Sequence, residues 1–214
     1  ILTVSLFRNS DYQLVKNISK DGCFSVYEKA KGETCEIRYG VPGEHQILNA
    51  LMAIAAARQF GVDWQGISER FLSAPGTTMR WERIERNGIA WINDAYNASP
   101  LSMAKAVETF SRIKTQGRKI AVLGDMFELG EKEEEFHSNI GHMVADSGID
   151  YLVPVAKRAE WIASTAILSG MAESAISRVQ TADEAKQIIP ELLTSGDTVL
   201  LKGSRGMTLE KILE

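Results

Sequence analysis

The sequence predicts an α/β protein whose larger, C-terminal part is a doubly wound, mostly parallel sheet. Two observations carry this expectation. From about residue 77 onward, short apolar runs alternate with longer helix-patterned stretches, strand then helix. Before that point, turn-separated strand-like pieces lead into two helical runs. The connecting APGTT is turn-prone and marks the expected boundary, with one domain over 1–76 and a second over 77–214.

Taken in order, Leu2 to Phe7, Cys23 to Tyr27 and Cys35 to Tyr39 read as strands, separated by the turn signals NSD, KDG and KGE. Ile47 to Phe60 is an Ala-rich helical run stopped by Gly61. Asp63 can cap a second helix through about Leu72, because its carboxylate can accept a free N–H of the first turn. Beyond the linker the strand candidates are Ile89 to Asn93, Lys119 to Leu123, Tyr151 to Val155, Arg178 to Gln180 and Thr198 to Lys202. The helix candidates between and after them are Leu101 to Lys114, Glu131 to Asp146, Arg158 to Leu168, Ala182 to Leu193 and Thr208 to Leu213. A sheet of this kind binds ligands in the crevice at the carboxyl ends of its strands, so chemistry is sought there.

Composition narrows the function classes. The 214 residues are 44% apolar and 24% charged, enough to bury a core. Net charge is -4 with no basic block, which disfavours nucleic acid as a partner. No apolar run reaches membrane-spanning length and no signal peptide opens the chain. Cys23 and Cys35 form no CxxC pair and read as structural thiols, as in a reduced cytoplasmic compartment. The chain opens on Ile1 within ILTVSLF, which reads as a fragment or a processed product. There is no GxxxxGK[ST] phosphate loop, no GxGxxG after a strand, no GxSxG elbow and no HExxH. The histidines, His45, His137 and His142, show no metal-ligand spacing, and no metal site is expected in the chain.

Four clusters sit where the strand-end rule puts a site. Gly43, Glu44, His45 and Gln46 open the helix that carries Asn49, where free N–H groups can meet an anion or a base edge. Taken alone, that cluster reads as a helix cap. Arg80 follows the linker, and Asp94 ends a strand: a guanidinium suits phosphate, and a strand-end carboxylate suits ribose hydroxyls. The turn DAYNASP gathers Asp94, Tyr96, Asn97 and Ser99, though a capped turn accounts for Ser99 and Pro100 without further function. The last cluster is a pair of loops, LGDMFELG with Asp125 and LKGSRGM with Ser204 and Arg205, each placed after a strand.

These strings, in this order, resemble the Mur ligase family. The matching stretches are GEHQILNALMAIAAA, MRWE, WINDAYNASPLSM, VLGDMFELGE and LKGSRGM, covering about residues 41 to 210. The resemblance implies a three-domain, ATP-dependent peptide ligase. This chain would hold the last strands and helices of its P-loop-type ATPase domain, followed by a Rossmann-like domain that closes over the site. It further implies nucleotide contacts from His45 and Asn49 at adenine, Arg80 at the phosphates and Asp94 at ribose. Tyr96, Asn97, Asp125, Ser204 and Arg205 would lie near the amino substrate. The implied reaction adds D-Ala-D-Ala to UDP-N-acetylmuramoyl-tripeptide through an acyl phosphate, with ATP and Mg2+, in a cytoplasmic and monomeric enzyme. The metal ligands and the phosphate loop would lie upstream, and this stretch alone would be inactive. No general base is assigned. Gln46 and Ser99 stand where the family pattern has asparagine, and a glycine is missing after Val153. The alternatives are a folylpolyglutamate-synthase-like ligase and a nucleotide-binding module without chemistry.

Overall fold

A computed structural model of the chain describes residues 1–16, 23–39, 44–73 and 78–214. Gly43 and residues 74–77 of the expected linker lie outside the described residues, as do the side chains of Glu44 and His45. The chain divides into two compact units, Ile1–Gly76 and Thr77–Glu214.

The first unit is a four-stranded sheet, in sequence order, with two helices. Its strands are β1 (Val4–Ser5), β2 (Tyr12–Lys16), β3 (Cys23–Glu28) and β4 (Glu33–Arg38). The first two pair in parallel and the others antiparallel. Tyr12, Phe24, Val26 and Ile37 pack against Ile47, Leu51 and Ile54 of α1 (Glu44–Gln59) and Ile67 of α2 (Trp64–Ser73). Asp63 caps α2 by accepting the Gly66 N–H at 2.7 Å. Arg58 and Glu28 form a buried pair at 2.7 Å, and Tyr12 donates its hydroxyl hydrogen to the same carboxylate.

The second unit is the α/β sheet expected, mostly parallel. Its strands are β5 (Glu82–Arg86), β6 (Ile89–Asn93), β7 (Lys119–Gly124), β8 (Tyr151–Val155) and β9 (Thr198–Lys202). The spatial order is β5-β6-β9-β7-β8, and only β5 runs antiparallel to its neighbour. Helices α3 (Pro100–Ser111), α4 (Glu133–Asp146), α5 (Ala159–Leu168) and α6 (Ala182–Leu192) connect the parallel strands. The last strand inserts between β6 and β7, so the carboxyl ends of these three lie side by side. All five residues of β9 are buried, as a strand covered on both faces requires.

Two expectations change. Arg178 to Gln180 is no strand: the chain there makes only the single bridges Leu152–Ile176 and Val155–Val179 beside β8. Thr208 to Leu213 is not α-helix but a 3-10 turn over Leu209–Leu213, entered through Thr208 in the left-handed region at φ +52°. Among the described residues no helix is long and apolar enough to cross a membrane.

Candidate functional site

The parallel register sets the first contact. Asn93 lies opposite Leu201, and the Asp94 N–H donates to the Leu201 carbonyl at 2.9 Å. The next residue on β9 is Lys202, whose side chain is 3% exposed. Its ammonium donates to Asp94 Oδ2 at 2.7 Å, to the Asn97 carbonyl at 3.1 Å and to the Asp94 carbonyl at 3.4 Å. Three acceptors match its three hydrogens, the condition under which a buried ammonium is tolerated. Lys202 thus ties the Asp94–Asn97 turn to the neighbouring strand. It was not singled out from sequence. The available signal was a lysine directly following the apolar run TVLL at a strand's carboxyl end.

The other carboxylate oxygen of Asp94 faces the segment before β5. Oδ1 accepts the Trp81 N–H at 3.0 Å, and the Tyr96 N–H donates to the Met79 carbonyl at 3.0 Å. Glu82 closes the clamp by accepting from the Met79 N–H and from Asn93 Nδ2. Met79 and Trp81 sit in the left-handed region, at φ +59° and +56°. Such a conformation is disfavoured for side-chain-bearing residues and persists only where surroundings enforce it. Between them, exposed Arg80 lays its guanidinium over the Tyr96 ring, 4.2 Å from the centroid. Among the described residues Arg80 has no carboxylate partner.

The turn after β6 then starts α3. Ser99 accepts the Ser102 N–H, Ser102 accepts the Ser99 N–H, and Pro100 occupies the first helical position. Ser99 is thereby accounted for as a cap. Asn97 accepts the Ala98 N–H at 2.9 Å and is exposed.

The loop after β7 is held by a closed circuit. Asp125 is 3% exposed. It accepts the Ala159 N–H at 2.8 Å, at the start of α5, and faces Arg158 at 3.4 Å. Arg158 also pairs with Glu133, whose carbonyl meets His137 Nδ1 at 2.6 Å. His137 Nε2 meets the Met126 N–H at 2.9 Å, next to Asp125 again. A backbone N–H can only donate, so Nε2 accepts and Nδ1 carries the hydrogen. His137 is therefore neutral, and its complete burial pushes its pKa below the ordinary 6.5.

The loop after β9 leans on both others. Gly203 permits a close approach: an added Cβ would lie 2.9 Å from Leu209 Cδ1 and 3.2 Å from Gly124 Cα. Ser204 donates its N–H to the Asp125 carbonyl, accepts the Phe127 N–H at 2.9 Å on its hydroxyl, and is buried. Asp125 and Ser204, both read from sequence as substrate-side residues, here brace the loops to one another. Arg205 is exposed, with Nη1 on Glu210 Oε1 and 3.6 Å from Met79 Sδ. A cleft of about 560 Å³ lies over these loops, lined in part by Tyr96, Asn97, Phe127, Glu128, Leu129 and Arg205.

Residues 79–205, which contain this whole strand-end cluster, match the Mur ligase glutamate ligase domain. The chain belongs to the Mur ligase family. It is 37% identical over 209 residues to the UDP-N-acetylmuramoyl-tripeptide–D-alanyl-D-alanine ligase of Bacillus subtilis, a match covering 96% of this chain and 45% of the relative. Among solved structures it resembles MurF from Acinetobacter baumannii, with TM-score 0.84 and 25% identity over 99% of this chain and 46% of that one. It also resembles the MurF ligase of Thermotoga maritima in complex with ADP, with TM-score 0.72 and 25% identity over 96% of this chain and 45% of that one. The chain thus spans less than half the length of these relatives.

Within the Mur ligase frame, Arg80, Asp94, Tyr96 and Asn97 come together at the end of β6, with Asp125, Ser204 and Arg205 on the adjoining strand-end loops. Asn49 belongs to the first unit, exposed on α1. His45 begins the same helix, its side chain outside the described residues.

Proposed function

We propose that this chain is the nucleotide- and amine-positioning part of an ATP-dependent ligase that joins D-Ala-D-Ala to UDP-N-acetylmuramoyl-tripeptide. The observation that carries this reading is the placement near the end of β6 of Arg80, a guanidinium with no carboxylate partner among the described residues, and of Asp94, a tethered carboxylate. The names of the relatives and the ADP-bound neighbour support it.

The residues fit a nucleotide. A carboxylate offers about four acceptor sites, and Asp94 uses one on each oxygen, for Lys202 and Trp81. Acceptor capacity remains for ribose hydroxyls, and Lys202 keeps the carboxylate fixed while they bind. Arg80 offers its fork to phosphate oxygens, which it can meet bidentately. Asn49, with His45 on the same helix turn, would meet the adenine edge. ATP supplies the phosphoryl group that activates the tripeptide carboxylate, and phosphate leaves when the amine forms the peptide bond. The loops after β7 and β9 would hold the amine against the activated carboxylate and exclude water from it. Magnesium would neutralise the phosphates. On the family resemblance its ligands are assigned to the part of the ligase outside this chain. The use of ATP and a nucleotide-sugar substrate supports a cytoplasmic reaction.

The test is ADP release by the full-length protein carrying this chain. Release should require both UDP-N-acetylmuramoyl-tripeptide and D-Ala-D-Ala. Release with folate and glutamate, and none with D-Ala-D-Ala, would replace this reading with that of a folylpolyglutamate-type ligase.

A further inference from the structure

The geometry points to Glu128 as the residue that holds the ammonium end of the incoming dipeptide, with Arg205 holding its carboxylate. This assignment rests on the ligase reading above and adds an orientation for the amino substrate. Among the described residues that line the 560 Å³ cleft, only Glu128 and Arg205 are charged. They carry opposite signs. The same cleft is lined by Phe127, Leu129 and Tyr96, which offer apolar surface to methyl groups. A zwitterion with two small side chains presents the complementary pattern.

Each charge is in a state to receive a ligand. Glu128 is exposed and has no hydrogen bond or ion pair among the described residues. Its backbone sits at φ +63°, a left-handed conformation that glycine adopts freely and glutamate does not. The same loop uses Gly130 at φ +60°, so glycine would also serve at 128 if only the turn mattered. Strain of this kind at a cleft wall is typical of side chains held for binding. Arg205 is anchored through Nη1 to Glu210 and leaves Nε and Nη2 without partners among the described residues. Those two donors form the edge that grips a carboxylate bidentately.

The competing explanation is a solvated loop-tip charge, and substitution separates the two. In the full-length enzyme, Glu128→Gly relaxes the backbone and Glu128→Gln keeps the shape, while both remove the charge. Each should raise KM for D-Ala-D-Ala at least tenfold and leave KM for ATP within twofold, with Glu128→Asp recovering part of the loss. D-Alanyl-D-alanine amide, which lacks the carboxylate, should bind more weakly to wild type and be indifferent to Arg205→Gln, yet still lose tenfold with Glu128→Gln. A KM for D-Ala-D-Ala within twofold of wild type in Glu128→Gly overturns the assignment. If wild type releases no ADP with D-Ala-D-Ala, the ligase reading itself has failed and this assignment falls with it.

Discussion

Lys202 meets Asp94 at 2.7 Å from the end of the neighbouring parallel strand, and both groups are largely removed from water. The pair fixes a carboxylate at the sheet's carboxyl edge. Removing one partner of such a pair leaves an uncompensated charge, at a cost of about 3 kcal/mol. Lys202→Met should therefore lower unfolding free energy by about 3 kcal/mol in urea titration, toward the lower end of the range for buried pairs because Asp94 keeps some solvent access. A loss below about 0.5 kcal/mol would place the pair with exposed ion pairs instead.

Arg80 lies on the Tyr96 ring between two left-handed residues, and this predicts a graded series in ADP affinity. Arg80→Ala should weaken binding about tenfold, the worth of a charge-assisted contact of roughly 1.5 kcal/mol. Tyr96→Phe should leave affinity unchanged, since the ring face is kept. Tyr96→Ala should cost about two- to fivefold, as expected of a stack worth roughly 0.5–1 kcal/mol. Calorimetric titration of ADP into the full-length variants measures all three.

His137 makes stability fall in mild acid. Its folded pKa lies below 6.5 because burial disfavours the charged ring. The unfolded chain therefore takes up a proton first as pH falls. The stabilisation is fully present above 6.5 and is lost as pH drops through the folded value. Thermal unfolding of wild type between pH 8 and 5 should show this loss. His137→Gln can still accept the Met126 N–H but does not titrate, and its curve should be flatter in that window. Parallel curves would remove His137 as the cause. Asp197 adds a second loss at lower pH: burial raises its pKa, but Arg118 and backbone N–H donors outweigh that and hold it below 3.8.

Gly141 sits where α4 crosses α5, and a Cβ there would lie 2.5 Å from the Ile162 carbonyl oxygen and 2.7 Å from Thr165 Cβ. The first of these is backbone and cannot rotate aside. Gly141→Ala should destabilise by about 1–3 kcal/mol despite alanine's better helix propensity, the usual cost of overpacking. Unchanged or raised stability in denaturant titration would mean that the two helices separate freely.

The strands β6 to β9 and the helices between them were legible because each is a compact apolar run or a patterned stretch bounded by turn residues. β5 was not, since ERIER is charged and lies at the sheet's edge, where alternation is weak. Its signal was the following Asn87-Gly88, both left-handed, at φ +54° and +73°, the residues a tight hairpin demands. Around Arg178 to Gln180, by contrast, a β-like string meets β8 through single bridges only and forms no strand. Among the candidate site residues, Asp94 and Arg205 were visible by residue type and strand-end position, and Arg80 by residue type and its place after the linker. Lys202 was hidden because its role depends on which strand lies beside β6. Insertion of the last strand between the first two parallel ones is set by long-range packing.

Asp94 carries the nucleotide assignment most directly. Titration of ADP into the full-length protein carrying this chain should show binding weakened at least tenfold by Asp94→Ala in a variant that still unfolds cooperatively. Equal ADP affinity in wild type and Asp94→Ala would contradict the assignment of this strand-end cluster to the nucleotide.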